Sequence, residues 1–231
     1  MHFSLITPRP GHERDAAHDW SQSAYEQHQW LWRFLPVTPG SPRRFLFRRR
    51  DLDGLPRFYV VSQAAPVAPT PHWQVASKLY APEVAAGDRL QFELRANPVV
   101  TRRDASGRSA RHDVVMQEKT RLLRERGLAR WADWSAADRP ALADLVQRCG
   151  SAWLLARAQR LGVEFDESTL RADGYEQHRG KGGALRLSTI DFSGCLLVRD
   201  PQALRRALFD GLGHGKAFGC GLLLVRRAQA A

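Results

Sequence analysis

The dipeptide Asp53-Gly54 stands between two short apolar runs, Phe45-Leu46-Phe47 and Arg57-Phe58-Tyr59-Val60-Val61. Both runs are rich in aromatic and β-branched residues, and Asp-Gly readily adopts the backbone that a tight hairpin turn needs. Two antiparallel strands are therefore expected, and what surrounds them narrows the fold. Residues 2–7 read as a strand, residues 8–20 as a polar loop, and Ser21 to Leu35 as a helix. After the hairpin, Pro66, Pro69, Pro71 and Pro82 leave room for only a short helix within 64–88. Leu90-Gln91-Phe92-Glu93-Leu94-Arg95 then alternates apolar and polar like a half-buried strand. The order is β-α-β-β-(degraded α)-β, the split βαβ pattern of a ferredoxin-like domain.

The second half repeats the order. Residues 98–111 carry Arg102, Arg103, Gly107, Arg108 and Arg111 and read as a basic linker. Val114-Val115-Met116 reads as a short strand and Lys119 to Gly127 as a charged helix. Arg139 to Gly162 reads as a longer helix with Leu142, Leu145, Val146, Cys149, Trp153 and Ala156 facing inward. Val163–Tyr175 and Leu185–Val198 are expected to pair; Asp200 and Pro201 open a helix from Gln202 to Phe209, and Leu222 to Val225 form a last strand. The expected fold is α+β, two tandem ferredoxin-like (RRM-like) βαββαβ domains, over 1–97 and 112–231 with a linker at 98–111.

The first helix carries the chemistry that stands out. Ser23 and Glu26 have capping-box spacing, and Pro36 ends the helix. Ala24, Leu31 and Leu35, with Trp32 beside them, form its apolar stripe. Tyr25 and His28, three residues apart, are surface neighbours near the N-terminal end, where anions and the neutral form of histidine are favoured. On this helix alone two roles are open. The pair could hold a phosphate and move a proton, or pack with wet polar tips.

Charge favours a polyanionic partner. The 231 residues carry 35 Lys+Arg against 24 Asp+Glu, a formal net charge of +11, and are 43% hydrophobic, hence globular. No membrane span is read, and Met1 to Thr7 suits a strand better than a secretory leader. Cys149, Cys195 and Cys220 show no pairing pattern, which suggests reduced thiols and a cytoplasmic location. No metal is expected, because His, Cys and carboxylates nowhere cluster at ligand spacing along the chain. Arg43, Arg44, Arg48, Arg49 and Arg50 read as a solvated face.

The run Gly211 to Gly221 resists two familiar readings. A phosphate-binding GxxxxGK[ST] loop would need glycine at Asp210 and Ser or Thr at Ala217. A dinucleotide loop needs strand, glycines, helix, whereas here the order is helix, glycines, strand. The glycines allow close packing, and with Lys216 they also offer a backbone surface for a phosphate chain.

Four features together resemble the CasE family, the repeat-RNA-processing endoribonucleases of the type I-E CRISPR Cascade complex. They are Ala24-Tyr25-Glu26-Gln27-His28; Leu94-Arg95-Ala96-Asn97-Pro98; Gly194 followed by Asp200-Pro201; and the glycine-rich run from Gly211 to Leu223. The resemblance implies metal-independent cleavage without a cofactor, beside a CRISPR repeat RNA hairpin, by a protein that is a monomer when isolated and works with other Cascade subunits. It places Tyr25 and His28 as the catalytic pair, with Arg33 near the scissile phosphate. It places His178, Arg179 and Lys181 on a basic hairpin that enters the RNA. Arg102, Arg103, Gly213, Gly215 and Lys216 are further candidates for RNA contact. Gln29 departs from members that carry a basic residue beside the histidine. The competing expectation is a non-catalytic RNA-binding scaffold, which explains the charge but leaves the Tyr25–His28 pairing to chance.

Overall fold

The computed structural model describes residues 1–20, 24–36, 45–103, 107–179 and 186–228. The chain forms two compact units, Met1–Val84 with Arg205–Leu223, and Ala85–Leu204 with Leu224–Ala231.

In the first unit the elements are β1 (His2–Pro8), α1 (Glu13–Trp20), α2 (Ala24–Trp32), β2 (Phe45–Leu52), β3 (Leu55–Ser62) and β4 (Trp73–Leu79). The sheet order is β2-β3-β1-β4, antiparallel throughout, which is the ferredoxin-like order. The β2–β3 hairpin turns at Asp53 and Gly54, both at positive φ (53° and 74°). Its core joins Ile6, Phe47, Phe58 and Val60 of the sheet to Trp20, Trp30, Leu31 and Phe34. The buried side of α2 is thus Trp30 and Leu31, continued by Phe34, while Trp32 and Leu35 pack only partly against the core. The stripe read from the sequence is out of phase by about one residue.

Two further expectations are corrected here. Residues 13–20 are a helix rather than loop, obscured because only Ala16 and Trp20 face inward. The fourth strand is Trp73–Leu79, not Leu90–Arg95. It lies between Pro71 and Pro82 and pairs with β1 along its whole length, from His2↔Leu79 to Pro8↔Trp73. As an edge strand it buries only Trp73, so its sequence shows no alternation.

The second unit contains β5 (Arg89–Ala96), β6 (Val99–Arg103), β7 (Ser109–Asp113), α3 (Val114–Glu125), α4 (Leu142–Leu155), α5 (Ala158–Leu161), β8 (Val163–Phe165), β9 (Arg171–Arg179) and β10 (Arg186–Val198). Helix α6 (Pro201–Asp210) and β11 (Leu223–Arg227) follow. The sheet order is β11-β5-β10-β8, with β9 continuing β8 along β10, again the ferredoxin-like order. Both halves are therefore tandem ferredoxin-like domains. β5 belongs to the second sheet, so the units divide at Val84 rather than at residue 97. Val114-Val115-Met116 is not a strand but the first turn of α3, because the Asp113 carboxylate accepts a hydrogen bond from the Met116 amide at 2.8 Å. The expected linker is largely a β-hairpin, β6 paired with β7. On α4, Leu145, Val146, Trp153 and Leu154 are buried, whereas Leu142 is exposed and Cys149 half-buried. At the start of α6, Asp200 accepts from the amides of Gln202 and Ala203, as its position suggested.

Candidate active site

Helix α2 presents His28 to an aromatic pocket of the first unit. The ring stacks on Phe45 of β2, with centroids 5.4 Å apart and planes at 16°. Trp32, one turn further along, stands edge-on to both rings. Its indole N–H donates to His28 Nε2 at 3.3 Å. An indole nitrogen only donates, so the nitrogen facing it must accept, and this contact favours a neutral ring with its lone pair on Nε2. Tyr25 lies on the first turn of α2, three residues before His28. Its side chain and the Ser23–Glu26 capping box lie outside the described residues.

Arg33 occupies the turn that ends α2. Its Nη1 donates to Asp19 Oδ1 of α1 at 3.0 Å, while Asp19 Oδ2 accepts from Trp73 Nε1 at 3.0 Å. Burial pushes the Asp19 carboxyl up, but the hydrogen bonds from Arg33 and Trp73 and the guanidinium charge outweigh it and hold its pKa below the ordinary value. Arg33 is thus oriented by a carboxylate, and its side chain stays about half exposed, at 47%.

The glycine-rich run belongs to the first unit. It packs on β2, and its single turn of 3-10 helix, Lys216–Phe218, lies against α2. A Cβ on Gly211 would come within 2.8 Å of the Leu46 side chain and 2.9 Å of the Gly221 carbonyl, so packing requires that glycine. Leu212 N–H donates to Gly221 O at 2.9 Å and closes the loop. Gly213 and Gly215 have φ of 73° and 74°, and Lys216 Nζ donates to Asp210 O at 2.6 Å. Gly213, Gly215 and Lys216 therefore share a unit with His28 despite their distance in sequence.

The other candidates lie in the second unit. Arg102 and Arg103 are exposed on β6, in a hairpin that also exposes Arg108 and Arg111. His178 is half-buried on β9, its Nε2 3.3 Å from Thr189 Oγ1 and 3.6 Å from Glu176. Arg179 pairs with Arg186 at the end of the β9–β10 hairpin where the two strands are joined. The Arg179 side chain and Lys181 lie outside the described residues. The arginine run is not simply a solvated face, since Arg48 is buried and Arg49 grips Asp51 while lying 4.3 Å over the Trp20 ring. Arg43 and Arg44 lie outside the described residues.

Sequence reasoning missed Trp32 and Phe45 as partners of His28, and Asp19 as partner of Arg33. The four-residue spacing from His28 to Trp32 was a usable sign; the other two contacts depend on tertiary packing. It also missed that folding gathers His12, Asp15 and His72, with ligand atoms within 4.8 Å of one another. No helix among the described residues is long and apolar enough to cross a membrane.

The tandem ferredoxin-like fold agrees with what known structures show. The family of CRISPR associated proteins matches residues 1–227. The Cascade subunit CasE of Escherichia coli K12 is 29% identical over 209 residues, covering 90% of this chain and 94% of the relative. The CRISPR-associated endoribonuclease Cse3 of Thermus thermophilus is 30% identical over 214 residues, covering 87% and 89%. A structure of CRISPR endoribonuclease Cse3 bound to 19 nt RNA shares the fold, with a TM-score of 0.66, 24% identity and coverage of 97% and 98%. The chain belongs to the CasE family of CRISPR-associated proteins.

Proposed function

We propose that this protein is a metal-independent endoribonuclease that cleaves CRISPR precursor RNA beside the repeat hairpin and retains its product as a cytoplasmic Cascade subunit. The observation that carries the reading is the His28 imidazole, whose Nε2 accepts from the Trp32 indole, on the same helix as Tyr25 and three residues after it. A relative named an endoribonuclease and another named a Cascade subunit support the class.

RNA carries its own nucleophile. His28 Nε2 exchanges the Trp32 donor for the 2′-OH, takes its proton, and the 2′-oxygen attacks the adjacent phosphorus in line. The P–O5′ bond breaks, the 5′-oxygen leaves as a hydroxyl after gaining a proton, by the same histidine or from water, and the other product ends in a 2′,3′-cyclic phosphate. Tyr25 positions the 2′-OH or donates to the phosphate. Arg33, oriented by Asp19, offers its remaining N–H groups to the developing charge. Gly213, Gly215 and Lys216 track the backbone on the side of α2, while Arg102, Arg103, His178, Arg179 and Lys181 engage the hairpin. Duplex RNA is read mainly by shape and phosphates, which suits such a set of cations.

The test is cleavage of a hairpin repeat RNA in EDTA, all-ribose against 2′-deoxy at the scissile nucleotide. Cleavage of the first alone, leaving a cyclic phosphate, is expected, as is a fall of roughly a hundred- to ten-thousand-fold in His28→Ala with binding retained. Binding of both RNAs with cleavage of neither would return the chain to the scaffold reading.

A further inference from the structure

We propose that His12, Asp15 and His72 form a divalent transition-metal site in the first unit, with Zn²⁺ the ion that best suits two imidazoles and a carboxylate. The site is distinct from the His28 chemistry and does not rest on it.

The fold fixes all three residues from the backbone outward. His12 begins α1, its carbonyl accepting from the Ala16 amide at 2.9 Å, and Asp15 sits in the first turn three residues on. His72 directly precedes β4, and its carbonyl accepts from the Arg9 amide at 2.8 Å. Pairing of Pro8 with Trp73 brings these two points together across the sheet edge.

The ligand atoms of the three side chains all lie within 4.8 Å of one another. Both imidazoles turn Nδ1 toward one oxygen, Asp15 Oδ2, at 3.6 Å from His12 and 3.7 Å from His72. These separations are too long for hydrogen bonds. They lie close to the spacing of tetrahedral ligands, about 3.3–3.6 Å when each bond is about 2.0–2.2 Å.

A second observation is independent of the spacing. His72 Nδ1 is buried from solvent and has no hydrogen-bond partner. A ring nitrogen buried without a partner is costly, and an ion within the triad would satisfy it. His12 and Asp15 are more open, with side chains 41% and 60% exposed, so an ion can enter and keep water in its remaining position. Bound there, it clips the start of α1 to the start of β4. One turn further along α1 and one residue into β4, Asp19 and Trp73 make the hydrogen bond that also orients Arg33.

The test uses the full chain without a histidine tag, stripped with chelator and titrated with Co²⁺, then Zn²⁺. Expected are saturable one-to-one Co²⁺ binding with visible ligand-field absorption, displacement by Zn²⁺, and a rise in melting temperature on adding Zn²⁺. His72→Ala and Asp15→Asn should lose the absorption and the thermal shift. His18→Ala, at an exposed position of the same helix, should keep both. If circular dichroism shows His72→Ala unfolded, His12→Ala at the more exposed ligand makes the same comparison. Absence of a saturable band in the parent chain, or a band that survives both Asp15→Asn and His12→Ala, overturns the proposal. Cleavage in EDTA reads the His28 chemistry separately, so either idea can fail without the other.

Discussion

Trp32→Phe isolates the hydrogen bond that holds His28. Phenylalanine keeps an aromatic ring edge-on to Phe45 but removes the indole N–H that donates to Nε2. At 3.3 Å this bond is longer than a typical N–H contact, which puts its net worth at about 0.5–1 kcal/mol, toward the low end of the usual range. If Nε2 takes the 2′-OH proton, that bond must break before reaction. Removing it should therefore raise kcat/KM by about twofold to fivefold, the factor equivalent to 0.5–1 kcal/mol. The assay is single-turnover cleavage of a repeat hairpin, parent and variant compared in the same buffer. Nitrogen-15 spectra of the ring should show the proton on Nδ1 in the parent protein, with that preference relaxed in the variant. A tenfold or greater loss of cleavage in a folded Trp32→Phe would refute the reasoning. It would mean that the indole contact persists through the reaction and that the working nitrogen is Nδ1.

Three other expectations follow from the geometry. Because the Asp19 pKa is depressed in the folded chain, the stability it contributes is present above the ordinary carboxylate range and lost as pH falls through the depressed value; Asp19→Asn should flatten that acid limb of a urea-midpoint profile below about pH 4. Gly211→Ala combines a positive φ of 74° with a clash against Leu46 and the Gly221 carbonyl, and should cost about 2–4 kcal/mol by denaturant titration. Replacing Arg102 and Arg103 together by alanine should weaken RNA binding and reduce the slope of log affinity against log salt by about 0.7–0.9 for each phosphate no longer neutralised; an unchanged slope would remove both from the interface.

The parts of the fold legible in the sequence were those whose cause is local. Asp53-Gly54 announced its hairpin because the turn needs only its own two residues. The missed elements are those whose cause lies elsewhere. β4 is specified by its pairing with β1 and by the single buried Trp73, so its residues show no period of their own. Val114-Val115-Met116 carries strand propensity, yet a capping carboxylate one residue earlier decides for helix, a sign that was present and outweighed. At the site, Tyr25 and His28 were legible as a helical pair. The stacking of His28 on Phe45 and the packing of the glycine-rich run against β2 and α2 were not, because chain order does not say which unit a returning segment joins.

The two strand misreadings cancelled in the topology but not in the chemistry. Taking β5 for the fourth strand and the start of α3 for the fifth left each half with a ferredoxin-like order, so the fold class survived. The error fell on residues 98–111, which then looked like a tether. As the β6–β7 hairpin, their arginines stand on backbone whose freedom was lost in folding. A basic tether would have to surrender that freedom on meeting RNA, at about 1–2 kcal/mol per residue ordered, which would offset much of what each cation contributes. Arg102 and Arg103 on paired strands give up mainly side-chain freedom. These two residues are therefore better suited to phosphate contact on a hairpin than they would be on a tether.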